Sequence, residues 1–556
     1  VIASPSDAVG ADLRLLAPAA GCWAVTIAGA VGGVWAGGLA TLLCAVVLTA
    51  ALLALRHSVH ARALRPAMLL IIATAGVSAG FGAAVTARVV DLQHHPMAAA
   101  GLLGHKTTAE LIIGDDPRVL RGPGPPRIRV PVTAAVASRP SDRASASLTA
   151  PADGWSDLVP GQRVTAVVTV DRPYRADLTV ASLRATGPPR AVSRPPGYQR
   201  WASAVRLRFA ELSRRALPAA ESGLLPGLVL GDVSGLGDDV VDDFRRCGLT
   251  HLTAVSGANF AIVCGAVLLV LQAAGVGRRT SAVLAAIVLA CFVVLVRPSP
   301  SVVRAAVMGA VGLLALVAGR RSAAIPALCA AVIVALGVWP ALAVDPGFAL
   351  SVCATAALIL LAPGLRDRLS AVGVPRGVAD LLAIALAAQI VTAPLVAMIA
   401  GTVNPVGVVA NIAVALAVAP ITVLGTFAAA IAGPSPRMGE LLIRFCEPEL
   451  WWMVRTADVL AGVPGASMSV PDGLGGACWV ALGLAAPAAG VWLWRRTGHG
   501  RTGPVGGVWH DGRRDRPTPP PARRRRVPGR ARHLVDPRRG ELRDRHRRAD
   551  HPGPGR

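Results

Sequence analysis

The sequence predicts a mainly α, polytopic transmembrane helix bundle of about 11 spans, with a small β-rich, OB-like extracytoplasmic domain and a disordered basic tail. Three observations predict this. Residues 381–436 form 56 consecutive positions without Asp, Glu, Lys or Arg, and one helical crossing needs only about 20 apolar residues. Charge-free runs also cover 15–55, 66–87, 247–277, 280–296, 322–344, 346–365 and 473–494. The mean hydropathy of +0.55 and 53% hydrophobic residues place the chain in the membrane class before any motif is read. The net charge of +24 is concentrated rather than spread, because residues 495–556 hold 19 Arg against six acids.

Three spans are predicted at the start, over 15–33, 34–55 and 66–87, making residues 1–87 an N-terminal membrane unit. Gly32, Gly33, Gly37 and Gly38 mark the first turn. Arg56, Arg62 and Arg65 fill the second loop, which the positive-inside rule assigns to the cytoplasm, so the third span delivers the chain to the outer side. Residues 88–200 change character. Val130–Val136, Val164–Val170 and Leu178–Leu183 are short β-branched segments between Pro, Gly, Asp and Ser clusters, as in a small antiparallel domain. The turn into strand at 158–164 suits an OB-like barrel. An irregular extracytoplasmic loop domain is the alternative.

Residues 201–222 hold a basic amphipathic helix suited to a membrane surface, with Trp201, Phe209 and Leu212 among arginines. A second such helix is predicted over 438–462, carrying Trp451 and Trp452. The region 223–494 supplies the remaining spans, near 250–276, 280–296, 302–319, 322–344, 347–363, 379–400, 404–432 and 473–494. Arg278/Arg279, Arg320/Arg321 and Arg366/Arg368/Arg376 fall in alternate loops, which sets the orientation. Asn404-Pro405, Asn411 and Pro420 are expected to divide 404–432 into pieces shorter than a span, as in transport paths.

Nine cysteines without CxxC spacing read as small buried hydrophobes, and neither a disulfide framework nor a metal site is indicated. The acids Asp238, Asp239, Asp242 and Asp243 read as the solvated face of a short helix. Residues 495–556 are too poor in apolar groups to bury a core. They read as a frameshifted remnant or, alternatively, as a basic tail that binds DNA or anionic lipid.

The chain enters the central bundle through Cys247-Gly-Leu-Thr-His-Leu-Thr-Ala-Val-Ser-Gly-Ala-Asn-Phe260. Polar groups at membrane depth face the bundle interior or an aqueous path, so His251, Ser256 and Asn259 are candidates to line one. Four ordered segments then carry a resemblance. They are LVLGDVSGL with FRRCGLTHLTAVSGANFAIV (228–263), RPSPSVVRAAVMG (297–309), DPGFALSVCATAALILLAP (345–363) and AQIVTAPLVAMIAGTVNPVGVVANIAVALAVAPITVLG (388–425). The chain resembles the ComEC family of competence proteins over about 223–430.

The resemblance implies an inner-membrane, multi-pass channel that carries single-stranded DNA into the cytoplasm during natural transformation. It implies single-stranded DNA and the lipid bilayer as partners, joined by a DNA-receptor protein, a cytoplasmic motor ATPase and a second copy in a homodimer. No cofactor and no enzymatic activity are expected. A DNA path needs groups that follow phosphates, and His251, Ser256, Asn259, Arg304, Gln389, Asn404 and Asn411 are the candidates. Arg304, seven residues after Arg297 and so on nearly the same helical face, is the best single phosphate contact. Its alternative role is a partner for a helix-end carbonyl. Many family members carry a metallo-β-lactamase-like domain after the last span, and 495–556 lack its His-x-His-x-Asp-His motif. Other readings are a small-molecule or lipid-linked transporter on a similar bundle, a truncated non-functional family member, and an intramembrane hydrolase. The hydrolase is disfavoured because Ser256 lacks a Gly-x-Ser-x-Gly elbow.

Overall fold

Glycine writes the first feature of the fold. The computed structural model describes residues 13–57, 64–120, 122, 124–253, 255–317 and 324–498, with side chains described as far as residue 486. The arginine-bearing loops at 58–63 and 318–323, and the tail from 499, lie outside the described residues. The chain divides into Val1–Val491 and Trp492–Arg556, and the architecture that follows is that of the first unit. Helix α1 (Leu16–His57) breaks at Gly33, where φ is 69° and ψ −160°, a region essentially restricted to glycine. On one side of the break Gly21 and Gly29 lie against Ser78 and Val85 of α2 (Arg65–His94). On the other side Gly37, Thr41 and Leu48 lie against Thr86, Gly82 and Gly76. The first half therefore runs parallel to α2 and the second antiparallel. A methyl group on Gly37 would sit 3.1 Å from the Gly29 Cα, so α1 is a helical hairpin, and small residues allow its close approach. The break falls at the turn expected between 15–33 and 34–55.

Six strands follow: β1 (Lys106–Ile113), β2 (Arg118–Leu120), β3 (Arg127–Val136), β4 (Ala144–Pro151), β5 (Arg163–Asp171) and β6 (Ser182–Ala185). Their order is β1-β5-β6-β4-β3-β2, and β1 also pairs with β3. Five strands thus close into a small barrel, with β2 added outside β3. The β4–β6 pair is parallel, and every other pair is antiparallel. Alternation fixes the register, since a one-residue slip would turn the apolar set outward. Ile128, Val130, Val132 and Ala134 of β3 point inward, as do Val164, Ala166, Val168 and Val170 of β5. Trp155 is fully buried and its Nε1–H donates to the Gly187 carbonyl at 2.9 Å. Two predicted β segments fall inside β3 and β5. The third, Leu178–Leu183, only meets the start of β6, because Asp177 holds Thr179 in a turn and Leu178 takes a φ of 60°.

The bundle comprises α3 (Gly197–Ala216), α4 (Ala219–Leu230), α5 (Asp238–Arg246), α6 (Gly257–Ala273), α7 (Arg278–Val296), α8 (Pro300–Val317), α9 (Ala324–Val338), α10 (Pro346–Leu360), α11 (Ala362–Ala371), α12 (Arg376–Ala400), α13 (Gly407–Ile431), α14 (Pro436–Phe445), α15 (Glu447–Ala461) and α16 (Gly473–Gly498). A two-residue ribbon pairs β7 (Thr402–Val403) with β8 (Met468–Ser469). Helix α4 is the hub, with every residue from Glu221 to Leu230 buried. As predicted, α3 is amphipathic, burying Phe209 and Leu212 while Trp201, Leu207, Arg214 and Arg215 stay exposed. The single surface helix expected at 438–462 is two helices, α14 and α15, which meet at Cys446 just before Pro448.

Two expectations change. Helix α13 runs unbroken through Pro420 and Asn411. Its 25 residues extend about 37 Å, so Pro420 neither divides it nor turns the chain back. A proline removes only one intrahelical bond, and the packed bundle holds the rest. The span count also differs from about 11. Among the described residues five helices qualify by length and apolarity (α1, α2, α7, α12 and α13), or six if α10 and α11, bent by 43°, act together. The reason is geometric: α1 contains two antiparallel segments, and α4, α6, α8, α9 and the first part of α16 are apolar but short. Together these helices identify a membrane protein.

Candidate nucleic-acid path

Buried helix ends leave carbonyls that need partners, and this chain meets several with polar side chains. Between α5 and α6 the backbone is irregular. Gly248 takes a φ of 70°, residues 250–252 form one 3-10 turn, and Ser256 caps α6. The Ser256 hydroxyl donates to Asn259 Oδ1 at 2.9 Å and accepts the Asn259 N–H at 3.4 Å, a reciprocal cap. Asn259, only 4% exposed, donates through Nδ2 to the Leu228 carbonyl at 2.9 Å. That carbonyl belongs to the last turn of α4. Asn404 does the same for α5, donating through Nδ2 to Arg245 and Arg246 at 3.1 and 2.6 Å. Gln389 of α12 reaches the Asn404 carbonyl at 3.5 Å. Asn404 also packs on Gly248, so the two clusters bracket one segment, 247–257.

Arg304 stands apart. It is 6% exposed on α8, and its Nε–H donates to Ser351 Oγ of α10 at 2.7 Å while Nη1 contacts Met308 Sδ at 3.4 Å. A methyl group on Gly257 would collide with Arg304 Nη2. The guanidinium therefore covers the first turn of α6, which carries the positive end of a helix dipole. Among the described residues no carboxylate pairs with Arg304. Two positive features thus lie together, buried and among the described residues without a counterion, an arrangement that favours an anion. Ser301 holds the neighbouring wall by donating to the Val255 carbonyl at 3.1 Å.

The structure thus brings His251, Ser256, Asn259, Arg304, Gln389 and Asn404 around the 247–257 segment. His251 is exposed and its Nδ1 lies 3.1 Å from the Gly248 carbonyl. Asn411 is half-buried on α13 and joins neither hydrogen-bonded cluster. The expected shared face of Arg297 and Arg304 is not present. Arg297 is the cap after α7 with a φ of 74°, and α8 begins only three residues later. The two arginines therefore belong to different elements.

Sequence reasoning missed one group. Asp116, on the β1–β2 connection of the barrel, accepts from buried Arg297 and pairs ionically with buried Arg206. Arg206 Nη2 lies 3.2 Å from Oδ2, Arg297 Nη2 lies 3.1 Å from Oδ1, and Arg297 Nε lies 3.2 Å from Oδ2. Arg206 Nη1 also donates to the Leu230 and Leu295 carbonyls, closing the ends of α4 and α7. Arg297 is further held by Gln199 and Ser203. A signal was present: Arg206 sits on the buried stripe of α3, with Ala202, Phe209 and Ser213.

The competence protein family model matches residues 228–496, which contain the whole of this segment and its neighbours. ComE operon protein 3 of Bacillus subtilis is 28% identical over 168 residues, covering 30% of this chain and 22% of the relative. The matched region thus spans about a fifth of that curated relative's length. No solved structure matches. Four ordered motifs, a matching domain model and a helical membrane architecture converge, and residues 228–496 form a competence protein domain similar to that of the ComEC family.

Proposed function

We propose that this protein is a cell-membrane channel that passes single-stranded DNA inward during natural transformation, with the barrel on the outer side. The observation that carries the reading is Arg304, buried over the first turn of α6 and, among the described residues, without a carboxylate. A neutral or cationic substrate gains nothing from such a group, whereas a phosphodiester does. The barrel adds support. Its pairing order, with one parallel pair, is that of an OB barrel, a common scaffold for oligonucleotide recognition. On its outer face Arg118 lies directly opposite Arg129, with Arg127 two residues along β3, and all three are exposed. Like charges across a strand pair are unfavourable unless an anion joins them. Asp115 offsets only Arg118.

In this reading the path collects short helices around 247–257, and about 11 crossings result when α1 counts twice and the short apolar helices count with the long ones. The protein moves a polymer and makes no bond. Ser256 is committed to Asn259 and His251 to Gly248, so they do not form a nucleophile–base pair. A DNA receptor outside and a motor ATPase inside are partners the channel requires for direction and force. The test is uptake of labelled DNA by cells carrying Arg304→Gln or Arg304→Lys. Loss in the glutamine variant with partial retention in lysine, at equal membrane abundance, supports the channel. Equal uptake in both would remove Arg304 from the path and, with it, the main support.

A further inference from the structure

The Asp116 cluster has a charge asymmetry that a simple structural clamp does not need. Two arginines converge on one carboxylate, and their side chains are 9% and 7% exposed while that of Asp116 is 37% exposed. Each arginine is fixed independently of the acid, Arg206 by two helix-end carbonyls and Arg297 by Gln199 and Ser203. Arg297 also holds a left-handed φ of 74°, a strain that persists only where the surroundings over-determine it. The acid, by contrast, belongs to the barrel. If Asp116 withdraws, Nη2 of Arg206 and Nε and Nη2 of Arg297 remain facing the gap. A phosphodiester presents two non-bridging oxygens sharing one negative charge, much as a carboxylate does.

We infer that Asp116 is a displaceable surrogate for a strand phosphate, so that a phosphodiester of incoming single-stranded DNA takes its place on Arg206 and Arg297 and frees the barrel from the bundle there. The site is non-covalent, its ligand chemistry is a phosphate oxyanion, and the occupant is a nucleic-acid strand. This inference rests on the DNA-channel reading and adds an anion exchange at the junction of barrel and bundle.

The full chain in lipid nanodiscs is titrated with a fluorescent 20-nucleotide oligothymidylate. Asp116→Asn removes the competing charge while keeping a similar shape, and should tighten binding about three- to tenfold. Asp116→Glu restores a carboxylate and should return affinity to that of the parent. Adding Arg297→Gln to Asp116→Asn should abolish the gain. Labelling of Ser203→Cys by a charged thiol reagent, corrected for the parent chain, should accelerate when the oligonucleotide is added. A structural clamp gives the opposite pattern: unchanged or weaker binding in Asp116→Asn and no change in Ser203→Cys labelling overturn the inference. Acceleration of the labelling by inorganic phosphate or phosphatidylglycerol alone, to the level reached with the strand, would assign the site to a free phosphate or a lipid headgroup and overturn the strand. Absence of both binding and import in the parent protein would instead fail the channel reading itself.

Discussion

At the scale of single residues, burial separates two roles that look alike in the sequence. Asn259 and Asn404 are spent on helix-end carbonyls, so their removal should act on stability. Asn259→Ala leaves the Leu228 carbonyl without a donor, and a lost buried partner costs about 1–3 kcal/mol. Thermal unfolding in detergent should therefore shift down, and DNA uptake per folded molecule should not. Arg304 should behave in the reverse way, losing uptake at least tenfold on change to Gln with its unfolding temperature held or raised, because a buried charge without a carboxylate is costly to keep. A drop in both quantities for Arg304→Gln would return it to a structural role. Asp243 on α5 offers a pH test. Burial, and then the charge of Asp458, raise its pKa above the usual carboxylate value. With the folded pKa above the unfolded one, its contribution is most favourable below the unfolded pKa and is lost as pH rises through the folded pKa. Asp243→Asn should therefore stabilise the protein at neutral pH and flatten this part of the profile above the ordinary carboxylate range.

At the scale of elements, glycine and proline decide what the apolar runs become. Gly33 turns one continuous run into a hairpin, and its φ of 69° resists any side chain. Pro420 does not break α13, although it lies in a similar run. Gly223 is the sharper case. A methyl group there would collide with the Gly235 carbonyl oxygen, on a helix buried along its length. The α4 backbone is held in the core and the turn carrying Gly235 leads straight into buried Leu236, so one of them must shift. Gly223→Ala should cost at least about 2 kcal/mol, read as lower membrane abundance and a lower unfolding temperature. Normal abundance would mean that α4 has more freedom than its packing allows. The outer face of the barrel supplies a second element-level test. Replacing Arg127 and Arg129 by Gln should weaken oligonucleotide binding and reduce the log–log salt slope by about 0.7 for each phosphate that is no longer neutralised.

At the scale of the molecule, topology is the claim on which the rest depends. The barrel begins after α2 and is tied to the bundle through Asp116, Arg206 and Arg297. Ser141 lies in the exposed β3–β4 turn. A cysteine there should react with an impermeant thiol reagent once the outer envelope is opened. Protection until the cells are lysed would reverse the orientation.

The sequence by itself determined the membrane class, the hairpin at Gly33, the two best strands and the segment 247–257, because each is written in local composition or short-range spacing. Charge-free runs reflect the low polarity of the bilayer, and alternation reflects the pleat of a strand. Only the tertiary structure decided what the polar side chains do. Asn259 meets a carbonyl 31 residues away, Asn404 one 158 residues away, and Arg297 meets Asp116 across 181 residues. No local pattern encodes such pairings. They arise because buried carbonyls and charges must find partners, and the fold alone determines which of them lie within reach.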